Sequence, residues 1–245
     1  MSSPTILVTG STRGIGAAIA EALTQAGATV IGHGLRLRPN TDAGAEAPIA
    51  ADLIDPQAPE RLWSEALARS PTGRIDVLIN NAGLFAPNPI AGSDIAWLDA
   101  WEDTLRINLT AAAQLSRLAV QHWLAAGTGG RLVHIASRAG HRGDSPDHWH
   151  YAAAKGGMLA LHKTIARAYA AQGVLSFAIA PGFTDTGMAE DYLASRGGAG
   201  LLADIPLGRV ATPQEIAAIS RFCALDAPPS MTGAVIDANG ASYVR

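Results

Sequence analysis

Cysteine, charge and aromatic residues are all scarce in this chain. Its one cysteine, Cys223, has no partner for an internal disulfide, so the fold must rest on packing, and the chain suits a reducing compartment. No histidine or cysteine stands near it at metal-ligand spacing, so its expected place is a helix in the core. Charged residues make up only 16% of the 245, and they sum to a net charge of -3. No broad cationic field exists to neutralise a phosphate backbone, which argues against nucleic acid as a partner. Apolar runs of about 18 residues or more, the length of a membrane span, are absent as well. The opening MSSPTILVTG has no cationic segment followed by a signal-length apolar run, and the expected location is the cytoplasm.

What the chain does have is a 48% share of hydrophobic residues, ample for one deep core. They are arranged as short apolar runs at Thr5–Val8, Thr29–Gly32, Pro48–Ala51, Val77–Ile79, Leu132–Ile135, Leu175–Ala180 and Ala234–Ile236, the pattern of strands buried on both faces. Between the first two, Ile15, Ala18, Ile19, Ala22, Leu23 and Ala26 form a helical stripe that Gly27 stops. The alternation of strand and helix continues to the end. It predicts an α/β fold: one doubly wound, Rossmann-type domain over residues 1–245, with a parallel seven-stranded sheet and right-handed crossovers. The irregular stretch 183–212 is long for a connection within a domain, and its position after a strand end predicts a substrate lid.

Chemistry-bearing residues gather at the predicted strand ends. Thr9-Gly10-Ser11-Thr12-Arg13-Gly14-Ile15-Gly16 joins the first strand to the first helix. Glycines there let the backbone approach a pyrophosphate, and the helix start offers free N–H groups. Asp52-Leu53 follows the third strand and Asn80-Asn81-Ala82-Gly83 the fourth. Each alone also fits a plain turn or helix cap. Tyr151 and Lys155 stand at i, i+4 on one helix face, where an ammonium is expected to lower a phenol's pKa toward the working range. A carboxylate that would accept from the 2′-OH of NAD is missing: Gly34 occupies its place, with Arg36 and Arg38 just beyond and Arg13 in reach. Those cations suit a 2′-phosphate, although Arg36 and Arg38 also read as solvated loop residues.

Taken in order, the TGxxxGxG turn, Asp52, the NNAG segment, Ser137 before YxxxK, and Pro181-Gly182-Phe183-Thr184-Asp185-Thr186 resemble the short-chain dehydrogenase/reductase family over nearly the whole chain. The resemblance implies a catalytic set of Asn108, Ser137, Tyr151 and Lys155, with Tyr151 as proton donor or acceptor, Ser137 on the substrate oxygen, Lys155 supporting Tyr151 and the nicotinamide ribose, and Asn108 positioning a water. It implies a cofactor site formed by Gly10, Ser11, Thr12, Arg13, Gly14, Ile15 and Gly16, Arg36, Asp52 and Leu53, Asn81, Ala82 and Gly83, Tyr151 and Lys155, and Pro181, Gly182, Thr184 and Thr186. NADP(H) is favoured over NAD(H), and no metal is expected.

Activity on a small-molecule ketone or secondary alcohol follows, most resembling 3-oxoacyl-acyl-carrier-protein reductases. A sugar or polyol dehydrogenase is the close alternative. A non-catalytic nucleotide sensor is remote, since Tyr151 and Lys155 are both present. The segment 138–150 carries three His, two Arg, two Asp and a Trp, which suit either recognition of a polar substrate or a solvated loop. The helix from His150 to Ala171 is apolar beyond one stripe at Met158, Leu161 and Ile165. That surplus, with the family's habit, predicts a homotetramer.

Overall fold

A computed structural model describes residues 3–35, 47–186 and 198–245. Its strands are β1 (Thr5–Val8), β2 (Thr29–Gly34), β3 (Ile49–Ala50), β4 (Val77–Asn80), β5 (Gly130–Ile135), β6 (Val174–Pro181) and β7 (Val235–Ala238). They form one sheet in the order β3-β2-β1-β4-β5-β6-β7, with every neighbouring pair parallel. All seven predicted runs are strands, and the α/β architecture is the expected one. The strand order reverses between β1 and β4, which opens a crevice at their carboxyl ends.

Both faces of the sheet are covered, which is why the strands read as unbroken apolar runs. Helix α1 (Gly14–Gln25) packs on one face, where Ile19 and Leu23 join Ile6, Val8, Ile79, Val133 and Phe177. On the other face lie α2 (Ala58–Arg69) and α4 (Ala111–Ala126), where Leu62, Leu115 and Trp123 meet Leu7, Leu78 and Leu132. Ile6, Leu7 and Val8 alternate between the two clusters as the pleat requires. Cys223 is buried in the first cluster, in a π-helical turn.

Helix α3 (Asp94–Leu105) starts at Ser93, whose hydroxyl accepts from the Ala96 N–H, and runs into α4 through a π-helical turn at Arg106–Thr110. The short α5 (Ala139–Arg142) leads to α6 (Trp149–Tyr169). Met158 and Ile165 of α6 are 1% and 8% exposed within the single chain, so much of its apolar surplus is spent on this chain's own core. Among the described residues the most exposed large apolar side chains include Ile95, Val244, Ile90, Leu35, Leu207 and Trp149, of which only Trp149, at its first turn, belongs to α6.

Beyond β6 the described residues resume at α7 (Gly198–Ala203) and α8 (Pro213–Arg221), the latter closed by a Thr212/Glu215 capping box. Residues 187–197 of the expected lid lie outside the described residues. Its ends meet: Asp185 N–H donates to Ala211 O at 2.8 Å and Ala211 N–H to Phe183 O at 3.0 Å. Among the described residues no helix is long and apolar enough to cross a membrane.

Candidate active site

A cavity of about 630 Å³ opens at the carboxyl ends of the strands. One end is made by the glycine turn. Gly10 sits at φ +65°, and a Cβ there would lie 2.9 Å from the Ala82 backbone. A Cβ on Gly16 would lie 2.1 Å from the Gly10 carbonyl oxygen. Neither position admits a side chain, so the wall here is bare backbone with the start of α1 facing in. Thr9 binds the turn to the β4 end: its Oγ1 accepts from Asn81 N–H and Ala82 N–H, both at 3.0 Å. The Asn81 side chain donates to the carbonyls of Thr9 and Gly10 at 2.9 and 3.1 Å.

At the other end stand Ser137, Tyr151 and Lys155, with Leu84, Phe85, Arg138, Asp144 and Phe183 around them. The Ser137 hydroxyl, which accepts from Ala139 N–H at 3.1 Å, stands beside the Tyr151 phenol and acts to lower its pKa. Phe85 lies edge-on to Tyr151 at 4.8 Å and stacks on His148 at 4.0 Å. The Lys155 ammonium lies 5.7 Å from the centre of the Tyr151 ring and donates to Ile135 O at 2.8 Å. Asn108 is held inward by the π-helical turn; its side chain accepts from Leu84 N–H at 2.9 Å and donates to Leu84 O at 2.8 Å.

Electrostatics correct one expectation. Burial pushes the Tyr151 phenol up to about 12, outweighing the Ser137 hydroxyl, and the same burial brings Lys155 down to about 8. Desolvation therefore outweighs any help from the ammonium, and the phenol stays protonated at neutral pH.

The remaining expected site residues divide three ways. Gly10, Thr12, Arg13, Gly14, Ile15, Gly16, Asp52, Leu53, Asn81, Ala82, Gly83, Pro181, Gly182, Thr184 and Thr186 line the same cavity. Ser11 does not: its hydroxyl turns to β2, accepting from His33 N–H at 3.0 Å and donating to His33 O at 3.3 Å. Arg36, like Arg38, lies outside the described residues. The absent acid at Gly34 also has a second cause. A Cβ there would lie 2.4 Å from Thr12 Cγ2, so the turn itself fills the place.

The charged segment 138–150 is partly structural. Ser145 Oγ and His148 Nδ1 are 2.6 Å apart, and His141 stacks on Tyr243. No group of three or more metal-binding side chains occurs among the described residues. Sequence reasoning passed over Thr9, His33, Leu84 and Phe85. Thr9 was legible as the polar residue opening the glycine turn; the others carry no local signal.

Comparison with known proteins agrees with this geometry. Residues 10–240 match the family model described as enoyl-(acyl carrier protein) reductase, a division of the short-chain dehydrogenases. The chain belongs to the short-chain dehydrogenase/reductase family. It is 34% identical over 248 residues to the 3-oxoacyl-[acyl-carrier-protein] reductase of Haemophilus influenzae, covering 97% of each chain. It is 35% identical over 246 residues to the cis-4-hydroxycyclohexanecarboxylate dehydrogenase of Sinomonas cyclohexanicum, covering 96% of this chain and 94% of that one.

A solved structure from Beutenbergia cavernae, a candidate NAD(P)-dependent gluconate 5-dehydrogenase with bound NADP, superposes with a TM-score of 0.86 at 34% identity, covering 99% and 97% of the two chains. A candidate 2-deoxy-D-gluconate 3-dehydrogenase from Agrobacterium tumefaciens, also with bound NADP, gives 0.85 at 29%, with 99% and 97% covered. The protein is thus a pyridine-nucleotide-dependent oxidoreductase that interconverts a ketone and an alcohol.

Proposed function

We propose that this short-chain reductase uses NADP(H) and reduces a 3-oxoacyl substrate or a small ketone. The observation that carries the reading is the pairing of Ser137 with Tyr151 in the cavity that the glycine turn also lines. The turn fits a dinucleotide because it leaves no room for side chains between backbone and ligand. Gly10 to Gly16 would meet its phosphates, Asp52 and Leu53 the adenine, Asn81 to Gly83 the adenosine side, Lys155 the nicotinamide ribose, and Pro181 to Thr186 the carboxamide and phosphates. When bound, the nicotinamide supplies the hydride; the protein handles the proton.

Tyr151, protonated at neutral pH, donates to the carbonyl oxygen as the alcohol forms. Ser137 donates a hydrogen bond to the same oxygen and offsets its developing charge. Lys155 supports the phenolate left behind. Asn108 braces the Gly83–Phe85 wall through Leu84 and positions the water that returns protons to Lys155. The preference for the 2′-phosphate rests on Arg13 in the cavity wall and the absence of a carboxylate at the end of β2.

Leu84, Phe85 and Phe183 suit an acyl chain or an apolar ring. The sugar or polyol reading is kept alive by Arg138 and Asp144 in the same wall and by the two gluconate dehydrogenase neighbours. The stretch 183–212 would cover the substrate, because Phe183 and Thr184 at its start already line the cavity. A cytoplasmic homotetramer completes the proposal.

The test is kcat/KM with NADPH and with NADH, for acetoacetyl thioester, ethyl acetoacetate and 5-ketogluconate. Preference for NADPH by about tenfold or more with the oxoacyl compounds is expected, one such charged contact being worth that much. Preference for NADH overturns the cofactor reading, and turnover of the keto-sugar alone transfers the function to the alternative.

A further inference from the structure

We propose that His33 is the positioning residue of the nucleotide site, an uncharged imidazole that holds the glycine turn in the shape that receives the dinucleotide. The proposal rests on the cofactor reading above. His33 is 3% exposed near the end of β2. Its Nδ1 accepts from the Gly10 N–H at 3.1 Å, and its Nε2 lies 2.9 Å from the Ala51 carbonyl oxygen. A carbonyl only accepts, so Nε2 carries the hydrogen and Nδ1 is left free to accept from Gly10. The two bonds define one neutral tautomer, and each holds a different element. One fixes the turn after β1; the other fixes the chain after β3, immediately before Asp52. Burial lowers the pKa of His33 and so favours the same uncharged form.

The backbone around the ring is built to bring these elements together. Ser11 N–H donates to His33 O at 2.9 Å, and the Ser11 hydroxyl bonds the N–H and carbonyl of the same residue. On either side, Gly32 and Gly34 make room. A Cβ on Gly32 would lie 2.6 Å from Ser11 Oγ, and one on Gly34 would lie 2.4 Å from Thr12 Cγ2. The segment Gly32-His33-Gly34 is therefore a mould for Gly10-Ser11-Thr12. Packing alone does not explain the imidazole, because an apolar side chain of that size would leave the Gly10 N–H without its acceptor. His33 itself lines the cavity between the turn and Ala51, at the end opposite the Ser137–Tyr151 pair. Its action is on cofactor binding, through the direction of the Gly10 amide and the placement of the residues that follow it.

The test uses the full chain and NADPH. Wild type, His33→Asn, His33→Leu and His33→Ala are compared by fluorescence titration, by steady-state kinetics and by amide hydrogen exchange. Asparagine offers an oxygen near the position of Nδ1; leucine keeps the volume and offers no acceptor. His33→Leu and His33→Ala remove both ring bonds and should raise the NADPH dissociation constant about tenfold, the part that reaches the cofactor being the lost acceptor for Gly10 N–H. His33→Asn should return it to within about threefold of wild type. The kinetic loss should fall on KM for NADPH, with kcat lowered less than about threefold.

Exchange should quicken in Thr9–Arg13 and stay unchanged in Val235–Ala238. Either apolar variant binding NADPH as wild type does overturns the proposal, as does an asparagine variant no better than leucine. Should the alanine variant fail to fold, the Asn–Leu pair still decides. A wild type that binds neither NADPH nor NADH overturns the cofactor reading first, before any substitution is made, and the proposal falls with it.

Discussion

The two ends of the cavity are built from different materials. At the nucleotide end the glycine turn brings bare backbone to the cavity beside side chains such as Arg13, His33 and Asp52, and its shape is set by atoms that must be absent: Gly10, Gly16 and Gly34 each lack room for a Cβ. At the chemical end the wall is functional side chains in an enclosed setting, with the Tyr151 phenol raised to about 12 and the Lys155 ammonium lowered to about 8. The first end is specified by sterics, which act on any added atom. The second is specified by protonation, so a nearly isosteric change of functional group should be enough to silence it.

Tyr151→Phe tests that contrast most sharply. Removing one oxygen should lower kcat by about a thousandfold, within the range of general acid catalysis, while NADPH binding stays within about threefold of wild type. Stopped-flow or end-point assays set against fluorescence titration measure the two sides. Activity within tenfold of wild type would remove Tyr151 from the proton path.

The next effect is on stability, and it separates the buried interior of the sheet from the cavity. His134 is pushed down to about 3 and His162 to about 4, each mainly by burial. His162 shares a hydrogen bond with Ser176 at 2.9 Å, and the His134 Nδ1 lies 3.3 Å from the Asn80 amide nitrogen. Both rings are neutral in the folded chain, whereas unfolded histidine takes up a proton near pH 6.5. The folded state thus binds fewer protons below that pH, and stability must fall as pH drops from about 6.5 toward 4. Each ring should cost about 2 kcal/mol between pH 7.5 and pH 5. Urea unfolding at the two pH values measures the loss, and His134→Asn should reduce it by about half. A midpoint unchanged between those pH values would contradict the buried neutral pair.

The smallest effect sharpens the steric side. Gly34→Asp was the natural sequence-based route to an NAD-type site, but Thr12 Cγ2 stands 2.4 Å from the new Cβ. The single substitution should therefore weaken NADPH and NADH together, by about tenfold in KM, the worth of about 1.4 kcal/mol. Adding Thr12→Ala should return NADH alone. Gain of NADH use by Gly34→Asp alone would show that the turn yields more easily than its packing indicates.

Much of this arrangement was legible beforehand, and the parts that were not share a cause. Ser137, Tyr151, Lys155 and most of the glycine-turn residues reach one cavity because each sits at the carboxyl end of a strand or on the helix that follows, positions that local pattern reveals. Ser11 has the same local context, yet it faces β2, because the strand after α1 offers it the backbone of His33. Met158 and Ile165 read as surplus apolar surface, but neighbouring elements cover them in the single chain. Pairing Tyr151 with Lys155 suggested a lowered phenol pKa. The actual balance depends on how completely the site excludes water, which residue spacing does not encode.

By itself, then, the sequence determined the elements: seven short apolar runs, helices marked by their stripes and stops, and polar residues placed at the strand ends. These are local properties, set by side-chain periodicity and backbone preference over a few residues. Tertiary structure alone decided which side chains meet. His33 reaches Gly10 across 23 residues, Thr9 takes the amides of Asn81 and Ala82 across more than 70, and the π-helical turn directs Asn108 onto Leu84 across 24. Contacts over such separations exist only once the sheet has brought the elements together, and the desolvation that sets the site's protonation states arises with them.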